Sequence, residues 1–427
     1  MEDQRNGGAG PGAGVKTSFE ASLGAGENDF GHGCFGSRTT ESRWTRVRCG
    51  VGSYIGAALD VAIGRNPRLL STHERIYLDH AATTPVLPEA RAAVARAFEE
   101  WANPSSPHAE GRAARALLEE ARSTIAEVLG WRHDVIFTSG ASEAVEIVAR
   151  RARVQGRVHG ATEHAIVPHT MGSASRIIPV LPNGLIDEDA LDAMLAEGPA
   201  LVAIQQVNNE TGVIQPLDRI AEKVRAAGSL LLADCAQSAG KLPLPDADFI
   251  AACAHKLGGP PGIGVLLVRD LGTLEPVGGQ EKGYRRGTQD APAAQGFAAA
   301  LAARPYDIGR LAALRARLEA AVKNSGAVIV AEDAPRIATI GAISLPGGSS
   351  ASLLVQLDLA GIAVSAGSAC SSGKMKASEV LAAMNTPGDV AAGFIRISFG
   401  PHTSEADVDR FIAEWRRIAE RASKAVA

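Results

Sequence analysis

No apolar run in the sequence approaches the about 20 residues that a membrane-spanning helix needs. A surplus of one charge is also missing. The chain has 43 Lys and Arg against 47 Asp and Glu, a formal net charge of −4. That balance removes the electrostatic case for nucleic acid or an anionic membrane surface as partner. The five cysteines (Cys34, Cys49, Cys235, Cys253 and Cys370) form no CxxC, no paired spacing and no zinc pattern. Their arrangement suits a reduced, cytoplasmic setting, in which a lone cysteine is by default a small buried hydrophobe. What remains is ordinary for a soluble globular protein: 427 residues, 46% hydrophobic and 21% charged, long enough for two or three domains.

Residues 1–73 stand apart. GGAGPGAG (7–14) is low in complexity, and the stretch after it has no apolar period. A disordered N-terminal extension is expected there. From Ile76 onward the pattern is dense. Ala93 to Trp101 carries Val94, Phe98 and Trp101 at helical spacing. VIFTSG (135–140) reads as a buried strand into a turn, with a helix in ASEAVEIVARRA after it. LVAIQQV (201–207), LLLAD (230–234), FIAAC (249–253) and GVLLV (264–268) read as further strands. LDRIAEKVRAAG (217–228) reads as a helix closed by glycine. Strands alternating with helices predict an α/β fold with a mostly parallel, doubly wound sheet. After about residue 305, two long Ala/Arg/Glu-rich helices and a few strands suggest a smaller α+β domain.

Polar groups follow the strands. Ser139-Gly140-Ala141-Ser142, Asn208-Asn209-Glu210, Asp234 with Gln237, and His255-Lys256 each stand at or just past a strand end. In open α/β sheets ligands bind outside the carboxyl ends of the strands. A helix opening on SGAS offers N–H groups, a hydroxyl and a positive dipole end to a phosphate. A lysine at a core strand end is a candidate nucleophile or Schiff-base amine. An Asp at a buried strand end suits a cationic ring nitrogen. The three together match the needs of pyridoxal 5′-phosphate. Each also has an ordinary alternative: Asp234 as a helix N-cap, His255 as a satisfied core histidine, Lys256 reaching to solvent.

The motifs IYLDHAATTP (76–85), NPSSPH (103–108), TSGASE (138–143), TEHAIV (162–167), VNNETG (207–212), DCAQS (234–238), AHKLGGPPGIG (254–264), RRGT (285–288), GSAC (367–370) and IRISFG (395–400) occur in this order. Together they resemble the cysteine desulfurases (NifS/IscS-like), of the class V aminotransferase group of fold-type I pyridoxal-phosphate enzymes. The resemblance spans about 74–420. It implies a large cofactor domain over 89–304, and a small domain formed by 74–88 and 305–427.

The resemblance also implies roles. Lys256 would hold the cofactor through its amine, Asp234 would pair with the ring nitrogen, and His164 would stack on the ring and handle protons. Gln237 and Asn209 would contact the ring's oxygen side. Ala141, Ser142, Cys253 and His255 would line the phosphate, with Thr288 reaching the phosphate of the neighbouring subunit in a homodimer. Arg396, with Asn209, would bind the substrate carboxylate. Cys370 would be the nucleophile that takes sulfur from L-cysteine, leaving alanine and a persulfide. Lys374 and Lys376 stand nearby to favour its thiolate. No resident metal is implied, although Cys370 could ligate a cluster iron transiently. The length between Cys370 and Arg396 fits the group with an extended Cys loop, which serves sulfur-acceptor proteins such as iron–sulfur scaffolds. The sequence departs from the family pattern at Ser142, usually Thr, and at Cys253, usually Ser; a thiol is the weaker donor. The alternatives are a selenocysteine lyase or another class V aminotransferase, which Cys370 discriminates. An inactive scaffold is a third, and the intact set of Lys256, Asp234, His164, Cys370 and Arg396 argues against it.

Overall fold

The computed structural model describes residues 75–367 and 377–426. The expected N-terminal extension, together with Cys370, Lys374 and Lys376, lies outside the described residues. In chain order the elements are β1 (Ile76–Tyr77), α1 (Pro88–Ala97), α2 (Ala109–Leu129), β2 (Asp134–Thr138), α3 (Ala141–Arg151), β3 (Gly156–Gly160), α4 (Ile166–Met171) and β4 (Arg176–Ile178). Then come α5 (Glu188–Leu195), β5 (Ala200–Gln205), α6 (Leu217–Ala226), β6 (Leu230–Asp234), β7 (Phe249–Cys253), β8 (Gly264–Val268), α7 (Ala291–Ala302) and α8 (Ile308–Lys323). The chain closes with β9 (Val328–Ile329), β10 (Ile340–Ser344), α9 (Ser350–Leu359), β11 (Ile362–Ala363), α10 (Glu379–Ala383), α11 (Gly388–Ala392), β12 (Phe394–Ser398) and α12 (Glu405–Val426).

A seven-stranded sheet in the order β2-β8-β7-β6-β5-β3-β4 forms the centre. All its pairings are parallel except those of β8, which runs antiparallel to both β2 and β7. Strands β5, β7 and β8 are buried throughout, as near-continuous apolar runs are when both faces of a sheet are covered. Their side chains alternate between two cores. Val202, Ile204, Leu231, Ala233, Ile250, Ala252, Val265 and Leu267 face the side covered by α1, α2, α5, α6 and α7. Leu201, Ala203, Leu232, Phe249, Ala251, Leu266 and Val268 face α3 and α4. A second, smaller body of sheet follows: β12-β10-β9 antiparallel, with β1 beside β11. Its core gathers Leu311, Leu318, Ile343, Ile395, Ile397, Phe411 and Trp415 between α8, α9 and α12. Among the described residues no helix is long and apolar enough to cross a membrane.

Asp187, Asp290, Asp307 and Ser378 cap α5, α7, α8 and α10 by accepting backbone N–H groups of the first turn. One expectation fails. The helix placed across Ala93–Trp101 ends at Ala97, and its buried face is Ala90, Ala93 and Ala97. Phe98 and Trp101 are 67% and 82% exposed. Their spacing is helical, but small residues one step away pack closely against α7 instead.

A buried ion pair ties the segment after β8 to the sheet edge. The Glu281 side chain is fully covered and accepts from Arg122 Nη1 (2.8 Å) and Nη2 (3.1 Å), from the Phe137 N–H (2.8 Å) and from Gln289 Nε2 (3.0 Å). The Arg122 guanidinium lies 4.7 Å over the Phe137 ring. Removing one partner of such a pair strands the other's charge in the core. Glu281→Ala is expected to lose about 3–5 kcal/mol of stability, read from the urea midpoint. A loss within the about 0.5 kcal/mol of an ordinary surface substitution would contradict the assignment.

Candidate active site

Register sets the strand ends level. Asp234 pairs with Gln205 on one side and Ala251 on the other. Thr138 at the end of β2 and Cys253 at the end of β7 both pair with Gly264. The carboxyl ends of β2, β7, β6 and β5 therefore share one edge, and the polar residues that follow each strand gather there.

At the β2 side, α3 begins without a side-chain cap. The N–H groups of its first turn have no intrahelical acceptor, and with the helix dipole they make an anion seat. Ala141 and Ser142 open this turn. Glu143 binds the Ser139 N–H and the Arg285 Nε (2.9 Å), joining α3 to the RRGT segment that ends in Thr288. Ser142, His164 and Thr288 are exposed in the single chain.

His255 and Lys256 are clamped by the segment after β1. The Thr84 N–H donates to the His255 carbonyl (2.8 Å), and the Thr83 hydroxyl meets His255 Nδ1 (3.3 Å). The Tyr306 hydroxyl reaches both Thr84 Oγ1 (3.1 Å) and the Lys256 carbonyl (3.3 Å). Lys241 Nζ sits 4.8 Å from the centroid of the Tyr306 ring. Burial and the charge of Lys256 push Lys241 down to about 7. Burial, with the charges of Lys256 and Lys241, pushes His255 down to about 4. Burial also raises the Cys253 thiol, so the neutral thiol is its resting form.

On the β6 side, Asp234 Oδ1 accepts the Ala236 N–H (2.9 Å), a turn contact with no α-helix following, so the N-cap alternative does not hold. Gln237 donates to the Ala81 carbonyl (2.9 Å), and its Oε1 is buried without a partner. Glu163 accepts the Gln205 N–H (3.0 Å) and is held well above the carboxylate range by burial and by the charge of Asp234. His164 lies below its ordinary value, because burial, helped by Lys256, outweighs the attraction of Asp234. Its Nδ1 accepts the Ile166 N–H (3.3 Å), which leaves the proton of the neutral ring on Nε2.

Arg396, 3% exposed on β12, enters from the smaller sheet. Its Nη2 binds Asp79 Oδ1 (2.7 Å), its Nη1 binds the Asn209 carbonyl (2.8 Å), and its Nε is buried without a partner. The fork expected to meet a substrate carboxylate is here turned to a carboxylate of the chain itself.

The strand-end edge therefore has an N–H-rich side at the start of α3 and a carboxylate side at Asp234 and Glu163. Sequence reasoning assigned no role to Thr83, Thr84, Glu163, Lys241 or Tyr306. Three of these lie within the quoted IYLDHAATTP and TEHAIV stretches, which were the available signal. Lys241 and Tyr306 had none.

The fold has the fold-type I architecture, and the chain belongs to the class-V aminotransferase family, whose members generally depend on pyridoxal phosphate and whose profile matches residues 76–411. Within that family it is similar to a cysteine desulfurase of Cereibacter sphaeroides, 35% identical over 364 residues (79% of this chain, 94% of that protein). It is equally similar to an IscS-like cysteine desulfurase of Mycobacterium tuberculosis, 35% identical over 385 residues (82% and 97%). Among solved structures, a NifS-like protein from Rickettsia africae is 29% identical with a TM-score of 0.75, covering 81% of this chain and 100% of that one.

The depressed histidines carry a pH prediction. His80, like His255, is pushed from 6.5 to about 4, by burial first and then by the charge of Lys241. Between these values the unfolded chain binds more protons than the folded one, so stability rises with pH. The contribution is complete above about 6.5 and is lost as pH falls through about 4. A His80→Gln/His255→Gln protein should show a flatter dependence of urea midpoint on pH across this window than the wild type. Parallel curves would contradict the assignment.

Proposed function

We propose that this chain is a cysteine desulfurase that uses pyridoxal 5′-phosphate to move sulfur from L-cysteine to Cys370, releasing L-alanine. The observation that carries the reading is the convergence of Lys256, Asp234, the open start of α3 and Arg396 at one sheet edge. The donor set fits the cofactor. The first turn of α3, with Ser142, Cys253 and His255, would take the phosphate, and Thr288 would do so for a partner subunit. Lys256 would hold the aldehyde carbon, Asp234 the ring nitrogen, and Gln237 and Asn209 the ring oxygen. When bound, the cofactor supplies an electron sink for carbanion chemistry at the substrate.

The chain's own groups do the rest. Arg396 would orient the substrate by its α-carboxylate, which must exchange with Asp79 or use the open Nε edge. His164 would move protons at Nε2. Burial and the charge of Asp234 raise the Glu163 carboxyl, so it competes little with Asp234 for a cationic ring nitrogen. The Cys370 thiol would accept the sulfur: the substrate Cβ–S bond breaks, an S–S bond forms at Cys370, and Cβ gains a proton. One thiol and one cysteine thus become one persulfide and one alanine, without an added oxidant or reductant.

The persulfide would pass to an acceptor protein such as an iron–sulfur scaffold. The buried free thiols Cys235 and Cys253 support a reducing, cytoplasmic setting. Exposed Thr288, Phe98 and Trp101 support a homodimer with the site at its interface. Division into a large domain over 89–304 and a small one of 74–88 with 305–427 belongs to the same reading.

With pyridoxal phosphate, L-cysteine and a reductant, wild type should form alanine and sulfide together. Cys370→Ala should keep the cofactor absorbance and release almost no sulfide. An equally active Cys370→Ala would move the reading to a lyase or transaminase. Arg396→Lys, which keeps charge but loses the fork, should raise KM for L-cysteine by roughly 10- to 100-fold, the worth of a hydrogen bond to a charged group; an unchanged KM would remove Arg396 from substrate binding.

A further inference from the structure

Lys256 stands on the turn after β7, and the segment after β1 runs beside that turn. The Thr84 N–H donates to the His255 carbonyl (2.8 Å), and the Leu87 N–H donates to the Gly258 carbonyl (2.8 Å). Gly258 has φ +97°, and a Cβ on it would lie 2.6 Å from Leu87 Cγ. Only glycine meets both that left-handed backbone and that close approach. Between these two bonds lies the Lys256 carbonyl. Among the described residues no backbone N–H donates to it. Its donors are two hydroxyls, Thr84 Oγ1 (3.3 Å) and Tyr306 Oη (3.3 Å).

The two hydroxyls also meet each other (3.1 Å), and Thr84 Oγ1 lies 3.4 Å from the His80 carbonyl. Each hydroxyl has a single proton to give. Tyr306 can donate to Thr84 while Thr84 donates to Lys256, or Tyr306 can donate to Lys256 while Thr84 donates to His80. Either hydroxyl alone can therefore serve the Lys256 carbonyl, and loss of both leaves it without a donor. Tyr306 reaches this place from a distant part of the chain. It stands just before α8, and it packs against the core of the large sheet and against that of the smaller sheet. Lys241 Nζ lies over its ring, 4.8 Å from the centroid. Burial pushes the phenol up to about 12, with the Thr84 hydroxyl offsetting this in part, so the donor keeps its proton.

We propose that Tyr306, together with Thr84, is a positioning residue for Lys256: the two hydroxyls hold the Lys256 peptide and so fix the point from which its amine reaches the cofactor. The inference rests on the reading that Lys256 holds pyridoxal phosphate. A lysine stem is long and flexible, so its amine is placed only as well as the peptide it grows from. A carbonyl that loses its donors inside a fold turns toward water or another donor, and the side chain moves with it. Capture of an aldehyde by a held amine depends on that placement. Valine and phenylalanine would fill the volumes of Thr84 and Tyr306. What they lack is the two protons.

The test uses holoenzymes of wild type, Thr84→Val, Tyr306→Phe, the Thr84→Val/Tyr306→Phe double variant and Thr84→Ser/Tyr306→Phe. The dissociation constant for pyridoxal phosphate is read from the absorbance of the bound cofactor, and borohydride reduction with mass spectrometry confirms the lysine. The urea midpoint reads packing separately. Each single variant should weaken cofactor binding by no more than about 2-fold, because the other hydroxyl remains. The double variant should weaken it by about 10-fold or more, beyond the product of the single losses. Thr84→Ser/Tyr306→Phe, which regains one hydroxyl, should return to the level of Tyr306→Phe. A merely structural role would lower the urea midpoint of the double variant and leave its dissociation constant unchanged. If the double variant holds the cofactor as wild type does, or if the single losses multiply to the double one, the shared positioning role is wrong. If the double variant does not fold, the single variants decide: a loss of about 10-fold in either contradicts the sharing of one carbonyl. If wild type carries no adduct on Lys256, the cofactor reading itself fails, a result distinct from the first.

Discussion

The ladder register of the central sheet is the constraint on which the rest depends. Asp234 lies level with Gln205 and Ala251, and Thr138 lies level with Cys253 across Gly264. A slip of one residue in β6 or β7 would exchange the two cores, since alternate side chains belong to opposite faces. The same slip would withdraw Asp234 or His255 from the edge. Hydrophobic burial on both faces thus fixes the chemistry as well as the fold: the polar groups are displayed where the apolar strands run out.

The smaller sheet completes the edge. Arg396 extends from β12 to Asp79 and the Asn209 carbonyl, and Tyr306 reaches from the start of the second body to the Lys256 carbonyl. Basic groups cluster nearby. Lys241, Lys256 and His255 lie within mutual electrostatic range, and burial first, then the neighbouring positive charges, depress Lys241 and His255. Such a region favours an anionic ligand group over water and disfavours a further cation. Asp234 and Glu163 make the opposite end, where burial and the charge of Asp234 raise the Glu163 carboxyl.

Much of this was legible in the sequence. The strands LLLAD, FIAAC and GVLLV were read to the residue, because short apolar runs bounded by polar or glycine residues leave little choice of limits. The strand-end residues followed from the same reading. The helix at Ala93–Trp101 was misplaced because apolar spacing alone cannot separate a buried face from an exposed one when the packing residues are alanines. Glu281 escaped notice, and Glu210 was read only as a polar group past a strand end, for another reason: their partners Arg122 and Ser378 lie 159 and 168 residues away. A buried carboxylate looks like any surface carboxylate until the chain has folded around it. Lys241 was hidden in the same way, since its neighbour Tyr306 belongs to a different body of the chain.

The claim that the strand ends form one cofactor site with Lys256 at its centre can be tested by trapping. The holoprotein is reduced with borohydride, digested and mapped by mass spectrometry. The account predicts a pyridoxyl adduct on Lys256 and none on Lys241, although burial makes Lys241 a reactive amine as well. An adduct on Lys241, or none on either lysine, would contradict it.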